Sequence, residues 1–357
     1  MSAPAVKPAP PAASPRPPAA QPTPQAAKPA PPAAKPTPPG WAQRRERGSL
    51  LALRFMAFVA VTLGRPVARL LLPPISLYFL LTVPAARRHS ERYLARALGR
   101  ATRWADLYRH VHSFASVVLD RVYLVRGQQQ ALDLQVHGDE GCSETLTARQ
   151  GGFLLGAHLG SFEALHAAGK SFPGMQVTMV MYPDNAHKIH SVLQAVAPEF
   201  KLSVIGIGNP GSTLAIRDAL QQGRLVGLLG DRLPPGAAGA APSARGKLVS
   251  IPFLGVPARF SDGPLRLALL LRQRVIFMAG VYLGGRRYDV RFETLADFRH
   301  APPEAAARER LVLDTLHAYV ARLDALCREA PYNWFNFYDY WAEDAVVETA
   351  ARRDEPA

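Results

Sequence analysis

The segment Gly156-Ala157-His158-Leu159-Gly160-Ser161-Phe162-Glu163 follows the apolar run Phe153-Leu154-Leu155 and sets a histidine and a carboxylate five residues apart. Imidazole titrates close to neutral pH, so it can remove a proton from a hydroxyl. A carboxylate against its other nitrogen fixes the tautomer and stabilises the imidazolium that forms. Residues five apart do not share a face of an unbroken helix. Pairing therefore requires His158 in a turn after a strand and Glu163 in the first turn of the following helix, with Ser161 as N-cap and Gly160 allowing a tight entry. The same residues also fit a purely structural role, Glu163 complementing the helix dipole and His158 hydrogen-bonded in the core.

The other polar candidates stand at the ends of apolar runs. Asp231 and Arg232 follow Val226–Gly230. They either belong to a site, where Arg232 or the backbone N–H groups around Gly160 would hold a developing oxyanion, or close a polar turn. Asn185 and Asn209 read as substrate contacts or as loop caps. His187 with His190, and His110 with His112, lack a carboxylate or third ligand at a metal-binding spacing, so no metal is expected. Cys142 and Cys327 form neither a zinc motif nor a disulfide framework.

These residues need strands and helices to carry them. Short apolar runs predict strands at 153–157, 175–182, 202–207, 225–229, 248–253, 275–282 and 287–293. Periodic segments predict helices at 161–169, 185–197, 211–222, 262–273 and 303–329. Strands alternating with helices indicate an α/β fold with a mostly parallel central sheet flanked by helices. Residues 90–125 read as one long helix, with Tyr93, Leu94, Ala97, Leu98, Trp104 and Tyr108 at helical spacing and arginines on the other faces. Pro234 through Pro242 reads as a mobile small-residue loop.

The chain before residue 90 differs. Residues 1–43 are a Pro/Ala-rich segment too poor in apolar side chains to order itself, and lack the apolar core of a signal peptide. Residues 44–89 form a hydrophobic and basic region, 90–345 the sheet-bearing domain and 346–357 a flexible tail. Within 50–83, Arg54, Arg65 and Arg69, with Gly64-Arg65-Pro66 and Pro73-Pro74, interrupt an otherwise apolar run. One helix with snorkelling arginines, a re-entrant or interfacial helix pair and a soluble core hairpin all fit it; membrane insertion or interfacial burial is favoured.

The net charge of +14 is concentrated on either side of that run. Residues 1–49 carry seven Lys or Arg against Glu46, and residues 85–128 nine Arg against Glu91, Asp106 and Asp120, a net of +6 in each. Next to an apolar segment this suits an anionic membrane face rather than nucleic acid.

The block around His158 resembles the HX4(D/E) motif of the lysophospholipid acyltransferase superfamily, and more closely a divergent branch of the lipid A biosynthesis (lauroyl/myristoyl) acyltransferases. Three further blocks resemble that family in order: Val226–Arg232, an apolar strand ending in an Asp-containing turn; Ile251-Pro252-Phe253-Leu254-Gly255 followed by Pro264–Ala268; and Pro331-Tyr332-Asn333-Trp334 with its aromatic continuation. Together they span about residues 45–345. Two departures stand out: Tyr182 occupies an arginine position of the family's second block, and Asn336–Trp341 replaces its C-terminal Trp-x-x-x-Arg pattern. They imply an acceptor other than lipid A.

The resemblance implies acyl transfer from a thioester on acyl carrier protein or coenzyme A to a hydroxyl or amine of a lipid or glycolipid. His158 would be the general base and Glu163 its partner, with Gly160, Asp231, Arg232 and Asn185 contacting substrate. No cofactor is needed. No covalent enzyme intermediate is needed either, in keeping with the absence of a G-x-S-x-G elbow. The expected location is the cytoplasmic face of a bacterial inner membrane. A non-catalytic membrane-bound scaffold and a lipid hydrolase using the same dyad are the alternatives.

Overall fold

Gly152–Gly156 is buried at every position and Leu225–Leu229 at all but its last, as expected of parallel strands covered on both faces. They are β2 and β5 of a seven-stranded sheet. The computed structural model describes residues 56, 58–169, 176–181, 197, 203–207, 211–233 and 246–341. The strands are β1 (Asp133–Gly138), β2, β3 (Val177–Met181), β4 (Ser203–Gly206), β5, β6 (Leu248–Phe253), β7 (Val256–Ser261), β8 (Arg274–Gly284) and β9 (Arg287–Asp297). The sheet order is β1-β9-β8-β2-β5-β3-β4, and every pairing is parallel except β8 with β9. Helices α1 (Gly64–Leu70), α2 (Leu72–Thr82), α3 (Pro84–Leu98), α4 (Trp104–Val125), α5 (Glu140–Thr147), α6 (Phe162–Gly169), α7 (Ser212–Gln221), α8 (Gly263–Leu270) and α9 (Ala305–Glu329) flank it.

This is the α/β architecture that the alternation of runs predicts. Two strands escape that reading. β1 is a largely exposed edge strand, and β7 carries Pro257 and Arg259, which dilute its apolar pattern. β6 and β7 form a separate hairpin. Its two-residue turn, Leu254-Gly255, has positive φ at both residues, as a type I′ turn requires. The Leu254 N–H donates to Asp324 of α9, tying the turn to that helix. Residues 90–125 are two helices rather than one. Gly99 ends α3 in the left-handed conformation (φ 64°), and the Asp106 carboxylate accepts the Arg103 N–H at 2.9 Å to start α4. The predicted helix 185–197, the 234–242 loop and the two terminal segments lie outside the described residues.

Arg65 and Arg69, the described arginines of the apolar N-terminal run, turn back onto the body of the domain. Arg65 makes a two-pronged ion pair with Asp120 of α4 (2.8 and 3.0 Å), and also bonds the Gly285 carbonyl in the β8–β9 turn. Tyr288 of β9 donates to the same carboxylate at 2.9 Å. Arg69 reaches the Tyr282 hydroxyl and the Gly285 carbonyl, each at 3.2 Å. Among the described residues no single helix is long and apolar enough to cross a membrane, and Gly64–Thr82 meets α3 at a 97° bend.

Asp120 is fully buried and Arg65 nearly so. Removing the carboxylate strands the guanidinium, so Asp120→Ala should cost about 3–5 kcal/mol, read from urea midpoints. A loss under about 1 kcal/mol would show that the N-terminal helices are not held by this pair.

Candidate active site

The β2–β5 register builds the centre of the site. Phe153 pairs with Val226 and Gly156 with Leu229, a constant offset of 73 residues. Two residues further along each strand, the same offset sets His158 abreast of Asp231. Both leave the carboxyl ends of parallel strands, where α/β sheets collect ligands. His158 Nδ1 lies 2.8 Å from Asp231 Oδ1, and the His158 backbone N–H donates to Asp231 Oδ2 at 3.0 Å. Because a carboxylate only accepts, Nδ1 carries the proton and Nε2 is left with its lone pair. Among the described residues no group hydrogen-bonds Nε2, and 27% of the His158 side chain is exposed.

Asp231 has no exposure of its own. Its Oδ2 also accepts from Trp334 Nε1 at 2.9 Å and Asn336 Nδ2 at 3.0 Å. Burial alone would raise this carboxyl, but His158, Arg232 and the donated N–H groups outweigh it and hold it below the usual carboxylate range. Burial and the neighbouring Arg232 guanidinium lower His158, partly offset by Asp231. The imidazole is thus neutral and ready to accept a proton at neutral pH.

The backbone around His158 is equally fixed. Phe335 N–H donates to the His158 carbonyl at 2.8 Å, and Gly160 N–H to the Asn333 carbonyl at 2.9 Å, bridging the His158 loop to the C-terminal segment. Gly160 has φ 67°, and a β-carbon there would run into the Gly280 carbonyl of β8, so only glycine fits. Tyr319 of α9 donates to the Gly156 carbonyl at 2.9 Å. Trp334 itself is wholly buried against Tyr93, Phe253 and Tyr340. The fully buried His110 supports it from behind, with Nε2 3.0 Å from the Trp334 carbonyl and Nδ1 3.2 Å from Ser90 Oγ.

Several expected roles change. The acid against His158 is Asp231. Glu163 forms a 2.7 Å ion pair with Arg121 of α4 and accepts from Ser161 Oγ at 3.3 Å, and among the described residues no hydrogen bond joins it to His158. The reason is geometric. Ser161 caps α6 through the Ala164 N–H (3.1 Å), leaving Glu163 at the helix's second position, alongside α4. Gly160 is corrected too, since its N–H is engaged by Asn333 and cannot hold an oxyanion. Arg232 does stand beside the dyad, with Nε donating to Asn336 Oδ1 at 3.2 Å and its guanidinium 5.6 Å from the centre of the Tyr338 ring. Asn185, Asn209, His187 and His190 lie outside the described residues. His112 contacts Ser76 Oγ at 3.3 Å, away from His110's partners.

The N–H donors within the aromatic run 332–341 escape a reading based on its apolar character. The usable signal was Trp334-Phe335-Asn336, two N–H donors at alternate positions in an otherwise aromatic run. An oriented, neutral, partly exposed imidazole can remove a proton from a hydroxyl, amine or water that reaches Nε2. No protein-family model matches the chain, and no curated protein sequence does.

Two predictions follow from this geometry. Trp334→Phe keeps the ring packing but deletes one donor to Asp231 Oδ2, leaving Oδ1 against His158, so the Nδ1–H tautomer should persist in ¹⁵N NMR while the fold is retained, whereas Asp231→Ala should lose it. Burial lowers His110 to about 4. Between pH 6.5 and 4 the unfolded chain then binds a proton that the folded chain refuses, so stability should fall by about 3 kcal/mol as pH drops through that window. Urea midpoints of wild type and His110→Gln should show a flatter pH dependence for the variant.

Proposed function

We propose that this protein is a membrane-associated acyltransferase that moves a fatty acyl group from a thioester, on acyl carrier protein or coenzyme A, to a hydroxyl or amine of a lipid or glycolipid. The observation that carries this reading is the 2.8 Å contact of His158 Nδ1 with the buried Asp231, which leaves Nε2 without a hydrogen-bond partner among the described residues. Four blocks that resemble the lipid A acyltransferases meet around it: His158, Asp231 with Arg232, Phe253 and Trp334.

In this mechanism Nε2 takes the acceptor's proton as its oxygen or nitrogen attacks the thioester carbonyl. Asp231 stabilises the imidazolium, and the Arg232 guanidinium, close enough to act electrostatically on His158, stabilises the oxyanion. Collapse of the tetrahedral intermediate breaks the carbon–sulfur bond, and the imidazolium returns the proton to the leaving thiolate. Tyr182 in place of arginine favours an acceptor other than lipid A. The inner membrane's cytoplasmic face, where both thioester donors occur, is the proposed location.

Lipid profiles of cells expressing wild type and His158→Ala should differ by one acylated lipid. With that lipid as acceptor, Asp231→Asn should lower kcat/KM by about 10²–10⁴-fold, and Glu163→Gln by less than about tenfold. Identical lipid profiles would sink the transferase reading. Release of free fatty acid with no acylated product would make the protein a hydrolase.

A further inference from the structure

Helix α2, LPPISLYFLLT, is apolar on every side, yet only one stripe of it is covered. Ala68 of α1 and Leu72, Ser76 and Leu80 of α2, four residues apart, turn inward and are buried. The other sides of the two helices stay open: Leu70 of α1 and Leu81 of α2, with Leu63 just before them, are more than half exposed, Leu77 nearly half, and Tyr78 is 62% exposed. A helix that is apolar all round is normally covered on all sides. So many exposed apolar side chains within one short helical segment exceed what scattered surface leucines produce.

The charge beside this strip selects its occupant. Residues 58–83 contain no acidic side chain. Arg87 of α3 donates to the Leu80 carbonyl of α2 at 3.3 Å, and Arg88 next to it is exposed. Arg87 lies 5.4 Å from the centre of the ring of Trp104, itself 58% exposed, an aromatic and cationic border of the kind found at headgroup level. Apolar side chains rimmed by arginines match the surface of an anionic bilayer.

The same helices are ill-suited to crossing it. At 1.5 Å per residue, the 11 residues of α2 span about 16 Å against a hydrocarbon core of about 30 Å. Drawing α1 into lipid would pull Arg65 off the buried Asp120, and Arg69 off Tyr282 and Gly285. The 97° bend at Val83 then turns the chain back along the body.

We infer that the protein lies on an anionic bilayer through the open apolar face of residues 58–82, in the plane of the interface and without crossing it. This specifies the attachment within the function proposed above but does not use His158, so the two can fail separately.

The test uses the full-length protein. Wild type should float with vesicles of phosphatidylcholine mixed with phosphatidylglycerol and far less with phosphatidylcholine alone. Leu77→Asp/Tyr78→Asp/Leu81→Asp should reduce flotation at least ~tenfold at an unchanged thermal midpoint, because these side chains are exposed. His158→Ala should float like wild type. In membranes from expressing cells, alkaline carbonate should release the protein, and N- and C-terminal epitopes should be equally open to protease. The inference is overturned by epitopes on opposite sides, by carbonate-resistant retention, or by a triple variant that floats like wild type. A triple variant that changes only the sedimenting mass would identify the strip as a contact between copies of this chain and overturn it as well. Failure of wild type to bind any vesicle removes the membrane attachment while leaving acyl transfer measurable in solution.

Discussion

The site depends on one buried carboxylate. Asp231 is removed from water yet ionised, which is costly unless its lone pairs are filled. Four donors fill them: His158 Nδ1, the His158 backbone N–H, Trp334 Nε1 and Asn336 Nδ2. Two come from the loop after β2 and two from the C-terminal segment, while Asp231 itself ends β5. The carboxylate therefore holds together three stretches of chain far apart in sequence, and in doing so sets the tautomer of His158.

The surrounding fold serves this arrangement. β2 and β5 are central strands in parallel register, so a histidine and an aspartate equally far beyond their ends face each other without further adjustment. The β6–β7 hairpin brings Phe253 against Trp334, and Tyr319 of α9 braces the Gly156 carbonyl. The N-terminal helices join the same body through Arg65 and Asp120, linking the open apolar strip rigidly to the domain that bears the dyad.

Much of this is legible in the residues. Runs such as Phe153–Leu155 and Val226–Leu229 are short, apolar and flanked by glycine, and each appears as a strand within one or two residues of its predicted place. The same signal fails for β1 and β7, where an edge position or a proline and an arginine weaken the apolar pattern. It also fuses α3 with α4, because both carry apolar residues at helical spacing and only residues 99–103 separate them.

His158 at the end of a strand, Ser161 as the cap and Gly160 as the tight turn are local properties. They follow from the residue types and from spacings within one loop, so the sequence determined them by itself. Which acid meets His158 is not local. Glu163 is nearer along the chain, but the capped helix α6 carries it to Arg121, while strand register brings Asp231 across 73 residues. Likewise, Arg65 reads as an interruption of an apolar run until Asp120 of α4 is seen beside it. Pairings between distant residues are set by register and packing, and these exist only once the sheet has formed.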